Sequence, residues 1–348
     1  MGVDAEPGDK RLLRVGLGLL WLFDALLQAE PVHFRAAYWL DEFAQSSMAE
    51  PASVNALVLY VARRIAEHPL VDNAVFVLIE AVLGVALLCR WRVRTTLLAS
   101  VVFALAVWVA GEGLGELPTG FALIAFGAPG SALLYAVLGL LAWPAPRRTP
   151  AALPAEGGSS AQGARAVGAE ASGGPSRWAL GVWCALWVGG AALYLERAHP
   201  LRLLLRANLE EAGVGNRAWL VDLDRRVSAL VTPHATAVAA ALIALDLLVG
   251  LGVLVRRTRR AALVVGIALS ALFWVVGQDL GGVLSAGATD PDTAPLVVLL
   301  ALVLLGFGSA RRRPASPDAS APGPSRSARP EGQCGAGRPD RAPAGQVG

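Results

Sequence analysis

Two acidic residues sit where an apolar chain has least use for them. Glu80 and Asp246 each fall near the middle of a long hydrophobic run, 71–88 and 235–255, and lie 166 positions apart. A carboxylate in such a setting costs about 2.5–3.5 kcal/mol on insertion scales. The ways out are protonation, a partner inside the structure, or a water-filled cavity. The chemistry on offer is proton carriage or contact with a substrate; an interhelical hydrogen bond is the structural alternative. Asp24 lies in the outer half of the run 12–28, with Gln28 one turn further on. Its counterpart 166 positions later is Gly190, so its role is confined to one copy. That suits a single site off a symmetry axis, and equally a local hydrogen bond to the following loop.

The histidines form two pairs at the same spacing, His33 with His199 and His68 with His234. All four are expected on the outer face, where imidazoles either bind a metal, respond to pH or cap helix ends. No His-x-x-His spacing accompanies them, which favours capping, and no metal site is assigned. Gly111 and Gly115, and again Gly277 and Gly281, stand four apart near the ends of two apolar runs, next to Glu112, Glu116, Gln278 and Asp279. The spacing suits close packing of two helices. A break that opens backbone groups to a ligand is the other reading, and it makes Glu112 and Asp279 outer-face candidates.

Several chemistries are excluded. No serine-hydrolase triad, phosphate loop or zinc-hydrolase pattern is present, and no strand precedes the glycines as a nucleotide fingerprint requires. Cys89, Cys184 and Cys334 are neither repeat-related nor spaced as a dithiol, and Cys184 reads as a small core residue. The tryptophans, among them Trp21, Trp39, Trp108 and Trp143, mostly sit near expected helix ends, as an interfacial belt would place them.

What must hold these residues is a repeated membrane unit. Trp21, Glu30, Gly84, Arg90, Arg94 and Trp108 recur as Trp187, Glu196, Gly250, Arg256, Arg260 and Trp274, all at one offset. The chain is 55% hydrophobic and 16% charged, with mean hydropathy +0.53; soluble domains carry about 25% charged residues. Runs at 12–28, 71–88, 95–111 and 125–143, then 178–195, 235–255, 261–277 and 294–307, approach the roughly 17–25 residues a spanning helix needs. Lipid offers the backbone no partners, so such runs must be helical. The fold expected is an all-α polytopic membrane protein of eight transmembrane helices, arranged as two parallel four-helix repeats.

Basic clusters at Lys10, Arg11 and Arg14, at 90–94, 147–148, 256–260 and 311–313 alternate with outer loops carrying Glu112, Glu116, Asp279, Asp290 and Asp292. This places both termini in the cytoplasm of a cell inner (plasma) membrane protein, with an uncleaved first helix. The pI near 9.0 follows from that topology, and no nucleic-acid partner is implied. The expected domains are a first unit at 11–143, a flexible linker at 144–176, a second unit at 177–308 and a basic tail at 309–348. The outer connections 31–69 and 197–235 carry amphipathic helices: Val54, Leu57, Val58, Val61 and Ile65 share one face, as do Leu201, Leu204 and Leu205.

The segment Gly18-Leu-Leu-Trp-Leu-Phe-Asp24-Ala-Leu-Leu-Gln28, with Trp108-Val-Ala-Gly-Glu-Gly-Leu-Gly115, resembles the DoxX-like integral membrane proteins. The resemblance implies a four-helix bundle per unit and an association with membrane redox systems, including quinone reduction. The function expected is a quinone-associated membrane redox component using Asp24, Glu80 and Asp246, with the bilayer and a quinone or redox protein as partners. A proton-coupled small-molecule transporter and a non-enzymatic scaffold are the alternatives.

Overall fold

Helices account for nearly all the regular structure. The computed structural model describes residues 6–46, 49–144, 176–195, 200–212 and 216–307, and no strand occurs among them. The linker from 145 to 175, the tail at 309–348 and His199 lie outside these residues. In chain order the helices are α1 (Gly8–Gln28), α2 (Ala36–Ser46), α3 (Ala52–Glu67), α4 (Pro69–Leu88), α5 (Val93–Ala110) and α6 (Ser131–Leu141). The C-terminal half holds α7 (Arg177–Leu193), α8 (Leu201–Ala212), α9 (Ala218–Val231), α10 (Ala235–Gly252), α11 (Arg259–Val275) and α12 (Thr293–Leu304). Prolines punctuate the starts: Pro7 and Pro51 precede α1 and α3, and Pro69 opens α4, where its missing N–H costs nothing.

Three segments are long and apolar enough to cross a membrane: Pro69–Leu88, Val93–Ala110 and Ala218–Gly252. The exposed faces of α4, and of α5 and α10 beyond their first turns, are apolar. Leu70, Leu78 and Val82 on α4, Leu98 and Val102 on α5 and Leu248 on α10 all point away from the protein. A water-facing surface would place charge there; a lipid-facing one has no reason to.

The packing partners follow the same scheme in both halves. α1 lies on α4 and α7 on α10, while α5 pairs with α6 and α11 with α12. Gly84 makes the first crossing tight, since a Cβ there would stand 2.8 Å from the Gly18 carbonyl. At the second crossing the Cys184 thiol donates to the Gly250 carbonyl at 3.1 Å. Helix α12 also touches α1, α6 and α7, which joins the halves through Leu296, Leu300 and Ala301.

Polar groups tie the helices together at both ends. At one end Arg14 binds Glu6 at 3.0 Å and the Leu87 carbonyl, and Lys10 reaches the Leu141 carbonyl. At the other, Gln28 and Asn73 bind each other, with Gln28 Nε2 donating at 2.5 Å and Asn73 Nδ2 returning a bond to the Gln28 carbonyl at 2.9 Å.

Helices α6 and α12 are short, 11 and 12 residues. At about 1.5 Å per residue each covers little more than half of a hydrocarbon core about 30 Å thick. Irregular segments, 111–130 and 276–292, precede them. The close-packing reading of the glycines is therefore corrected. α5 ends at Ala110, and Gly113, Leu114, Gly115 and Glu116 all have positive φ; Asp279, Leu280, Gly281 and Gly282 repeat the pattern. These residues form left-handed turns and not a helix face. A Cβ on Gly115 would stand 2.0 Å from the Pro129 carbonyl oxygen, and one on Gly281 2.4 Å from the Pro291 carbonyl carbon.

Candidate functional site

The turn after α5 brings its own polar side chain back to start the next helix. Glu112 Oε1 accepts hydrogen bonds from the Ser131 hydroxyl at 2.6 Å and from the Ala132 N–H at 2.9 Å. A helix N-terminus presents unpaired N–H groups that favour such an acceptor. Trp108 Nε1 ties the same turn to the Pro129 carbonyl at 2.8 Å. In the C-terminal half, Trp274 Nε1 donates to the Pro291 carbonyl at 2.9 Å and Gln278 Oε1 accepts the Ala294 N–H at 3.3 Å.

Behind Glu112 lies a cavity of about 250 Å³ within the N-terminal bundle. Its apolar wall is a chain of rings: Trp39 to Phe76 at 6.0 Å, Phe76 to Phe103 at 6.3 Å, Phe103 to Trp21 at 5.6 Å and Trp21 to Tyr135 at 4.5 Å between centroids. Its polar wall is acidic. Asp24 from α1, Glu80 from α4, Glu112 and Asp290 all line it. Asp24 is 2% exposed and Glu80 7%, and Asp24 Oδ1 and Glu80 Oε2 have no hydrogen-bond partner. Asp24 lies beside the Tyr135 hydroxyl and within electrostatic range of Glu80 and Asp290.

Asp290 arrives from the other half of the chain. The segment 283–292 crosses over the N-terminal bundle and is held there at Gly287, whose carbonyl meets His33 Nε2 at 3.1 Å and accepts the Tyr38 hydroxyl at 2.9 Å. A second cavity, of about 340 Å³, lies under this strap and shares Gly111, Glu112, Ser131, Thr289 and Asp290 with the first. It forms a vestibule whose other acids are Glu116 and Asp292. Burial, with Asp290 adding to it, pushes Glu112 up to about 8 despite its two hydrogen bonds. Burial likewise raises Asp292 to about 7, and raises Asp290 although that carboxyl accepts the Asp292 N–H at 2.7 Å.

The C-terminal half lacks this cavity at the matching place for a specific reason. Gly190, the counterpart of Asp24, is covered by Ile124, whose side chain would stand 2.8 Å from a Cβ added there. Ile124 and Asp290 are themselves 166 positions apart. Each half thus sends a segment over the other: one delivers an isoleucine onto a glycine, the other an aspartate towards an aspartate.

The sequence-derived candidates therefore separate. Asp24, Glu80 and Glu112 come together. Asp246 does not join them; it is fully buried on α10, near Tyr194, with no hydrogen-bond partner on either oxygen. Asp279 pairs with Asp224 and accepts from Asn216 Nδ2 at 2.9 Å; burial and the Asp224 carboxyl raise it to about 7. Among the described residues the histidines do not cluster. His33 is buried, which lowers its pKa, whereas His68 and His234 are exposed at the starts of α4 and α10. Among the described residues no three His, Cys, Asp or Glu side chains are grouped to hold a metal.

The belt reading of the tryptophans is corrected for Trp21 and Trp39, which are buried walls of the cavity, and for the fully buried Trp183 and Trp187. The indole of Trp21 donates to the Ser100 hydroxyl at 2.9 Å and that of Trp183 to the Val249 carbonyl at 3.0 Å, so burial leaves those two donors satisfied. Sequence reasoning missed Asp290 and Tyr135 as site residues. Asp290 carried one available signal, an Asp-Pro-Asp run just before an apolar helix. No protein-family model, no curated protein and no solved structure matches this chain.

Proposed function

We propose that this protein binds a small lipophilic molecule in the N-terminal cavity and couples its binding to proton uptake or release by Asp24, Glu80, Glu112 and Asp290. One observation carries the reading: a ring-lined cavity in an apolar bundle has four acids in its wall and opens into an acidic vestibule. Intramembrane acids facing a cavity mark ion and substrate paths. A proton-coupled transporter is the form of this function that the continuous cavity and vestibule favour. A quinone-associated redox component is the second form, favoured by the ring wall, which would stack on a flat head group.

The same proposal includes the architecture: eight spans, in two parallel DoxX-like units, with both termini in the cytoplasm of the plasma membrane. It is supported by the recurring pairs α1–α4 and α7–α10 and by the Trp–Pro contacts that occur in both halves.

Dicyclohexylcarbodiimide tests the function directly, because it adds to protonated carboxyl groups in apolar surroundings. Treated membranes should yield peptides modified at Glu80 or Asp24 near neutral pH, with duroquinone protecting them if the ligand is a quinone. Absence of modification at every cavity acid between pH 6 and 8 would remove the proposal.

A further inference from the structure

We propose that the ligand of this cavity is a small organic cation, an amine or quaternary ammonium bearing a ring or short alkyl groups. The inference rests on the function proposed above and names its substrate class. Three observations separate a cation from a neutral ligand.

The first is the sign of the wall. Apart from Tyr135, every ionisable group lining the cavity is a carboxyl, and no Lys, Arg or His lines it. Asp24 comes from α1, Glu80 from α4, Glu112 from the turn after α5 and Asp290 from the strap, while α2, α3 and α5 contribute only rings and aliphatic groups. Tyr135 of α6 is the remaining titratable group, and Glu50 packs against Gly113 at the vestibule. Several carboxylates facing one another in an apolar bundle repel; a bound cation is what allows more than one to ionise.

The second is the state of the hydrogen-bond donors. A carbonyl ligand such as a quinone needs N–H or O–H groups; the indole and amide donors of the wall are engaged, and its remaining hydroxyl, that of Tyr135, lies beside the Asp24 carboxyl. Trp21 Nε1 gives its proton to Ser100, Trp39 Nε1 to the His33 carbonyl at 2.8 Å, and Gln28 Nε2 to Asn73. Most of what remains unsatisfied is acceptor capacity: Asp24 Oδ1, Glu80 Oε2 and Glu112 Oε2 are buried without a partner, against the single hydroxyl of Tyr135.

The third is the ring wall. Five aromatic side chains in series offer electron-rich faces, and a desolvated cation over such faces gains about 2 kcal/mol per good contact. The acidic vestibule adds a potential that draws cations towards the mouth. At about 250 Å³ the cavity is at the small end for ligand sites, which sets the size class.

The probe is benzyltrimethylammonium, titrated into the purified full chain in mild detergent and followed by tryptophan fluorescence and by proton release into weak buffer. Neopentylbenzene, the same shape without the charge, is the control, and menadione represents neutral quinones. Saturable quenching by the cation, release of protons on binding and affinity that rises with pH are expected. Asp24→Asn and Glu80→Gln should each weaken binding at least tenfold, and Asp246→Asn, outside the cavity, should not. Phe103→Leu, which keeps an apolar side chain, should weaken cation binding severalfold. Equal binding of neopentylbenzene, or binding of menadione but not of the cation, overturns the cation class while leaving a lipophilic site standing. Failure of all three probes together with failure of carbodiimide labelling overturns the site as well.

Discussion

His33 and Gly287, 254 positions apart, meet at 3.1 Å and fasten the strap of one half over the cavity of the other. The imidazole is buried, stacked edge-on against Tyr38 with centroids 4.5 Å apart, and Tyr38 shares the same carbonyl. Removing a buried hydrogen-bond partner costs about 1–3 kcal/mol. His33→Ala combined with Tyr38→Phe should therefore speed amide hydrogen exchange in residues 283–292 by tenfold or more. Unchanged exchange would show that the strap is held by other contacts.

The vestibule acids imply a definite pH dependence. Glu112 is raised from 4.5 to about 8 and Asp292 from 3.8 to about 7, in both cases chiefly by burial. A group whose folded pKa is raised stabilises the fold fully below its unfolded value and loses that contribution as pH rises through the folded value. Thermal stability in detergent should accordingly decline as pH rises from about 4.5 to 8. Glu112→Gln, which keeps an acceptor for the Ala132 N–H, should flatten the upper part of that decline. A profile identical to the parent's would contradict the burial of this carboxyl.

Two glycines make an internal comparison. Gly115 has φ +64 and no room before the Pro129 carbonyl, so Gly115→Ala combines a left-handed non-glycine residue with a backbone clash. The two effects together should cost about 2–5 kcal/mol. Gly189 lies within α7 with nothing inside 4 Å of an added Cβ, so Gly189→Ala should be neutral or stabilise by about 0.5–1 kcal/mol. Melting temperatures of the two variants should move in opposite directions; a shared direction would refute the turn geometry.

The proposed orientation can be read in intact cells. Thr119→Cys lies in the acidic segment after α5, and native Cys89 is exposed between Arg90 and the end of α4. A membrane-impermeant maleimide should label Thr119→Cys and leave Cys89 unmodified until the cells are opened. The reverse pattern would invert the topology.

A buried amide pair joins α1 to α4 beside the cavity. Asn73 is fully buried and exchanges two hydrogen bonds with Gln28, next to Asp24 on α1. Asn73→Ala should destabilise by about 1–3 kcal/mol, whereas Asn73→Asp tests whether one more acid near the cavity strengthens or disrupts it. Benzyltrimethylammonium affinity in Asn73→Asp should rise if the variant folds, as judged by its elution and helical content.

Much of this is legible in the sequence. Uninterrupted apolar runs can satisfy their backbones in lipid only as helices, so helical structure and membrane character followed from composition alone. The isolation of Glu80, Asp246 and Asp24 in such runs marked them for attention, and the Asp24–Gly190 mismatch already signalled that the halves differ. The tertiary structure decided which acids share a space. Asp290 reaches Asp24 and Glu80 because a segment of the C-terminal half folds across the N-terminal bundle, and Ile124 closes the matching place at Gly190 in return. It also decided that the glycines after α5 and α11 turn the chain instead of packing helices, since the backbone there must approach Pro129 and Pro291 too closely for any side chain. Periodicity describes which way a residue faces along its own helix; which residue of a distant segment it meets depends on packing between helices, and no local pattern encodes that.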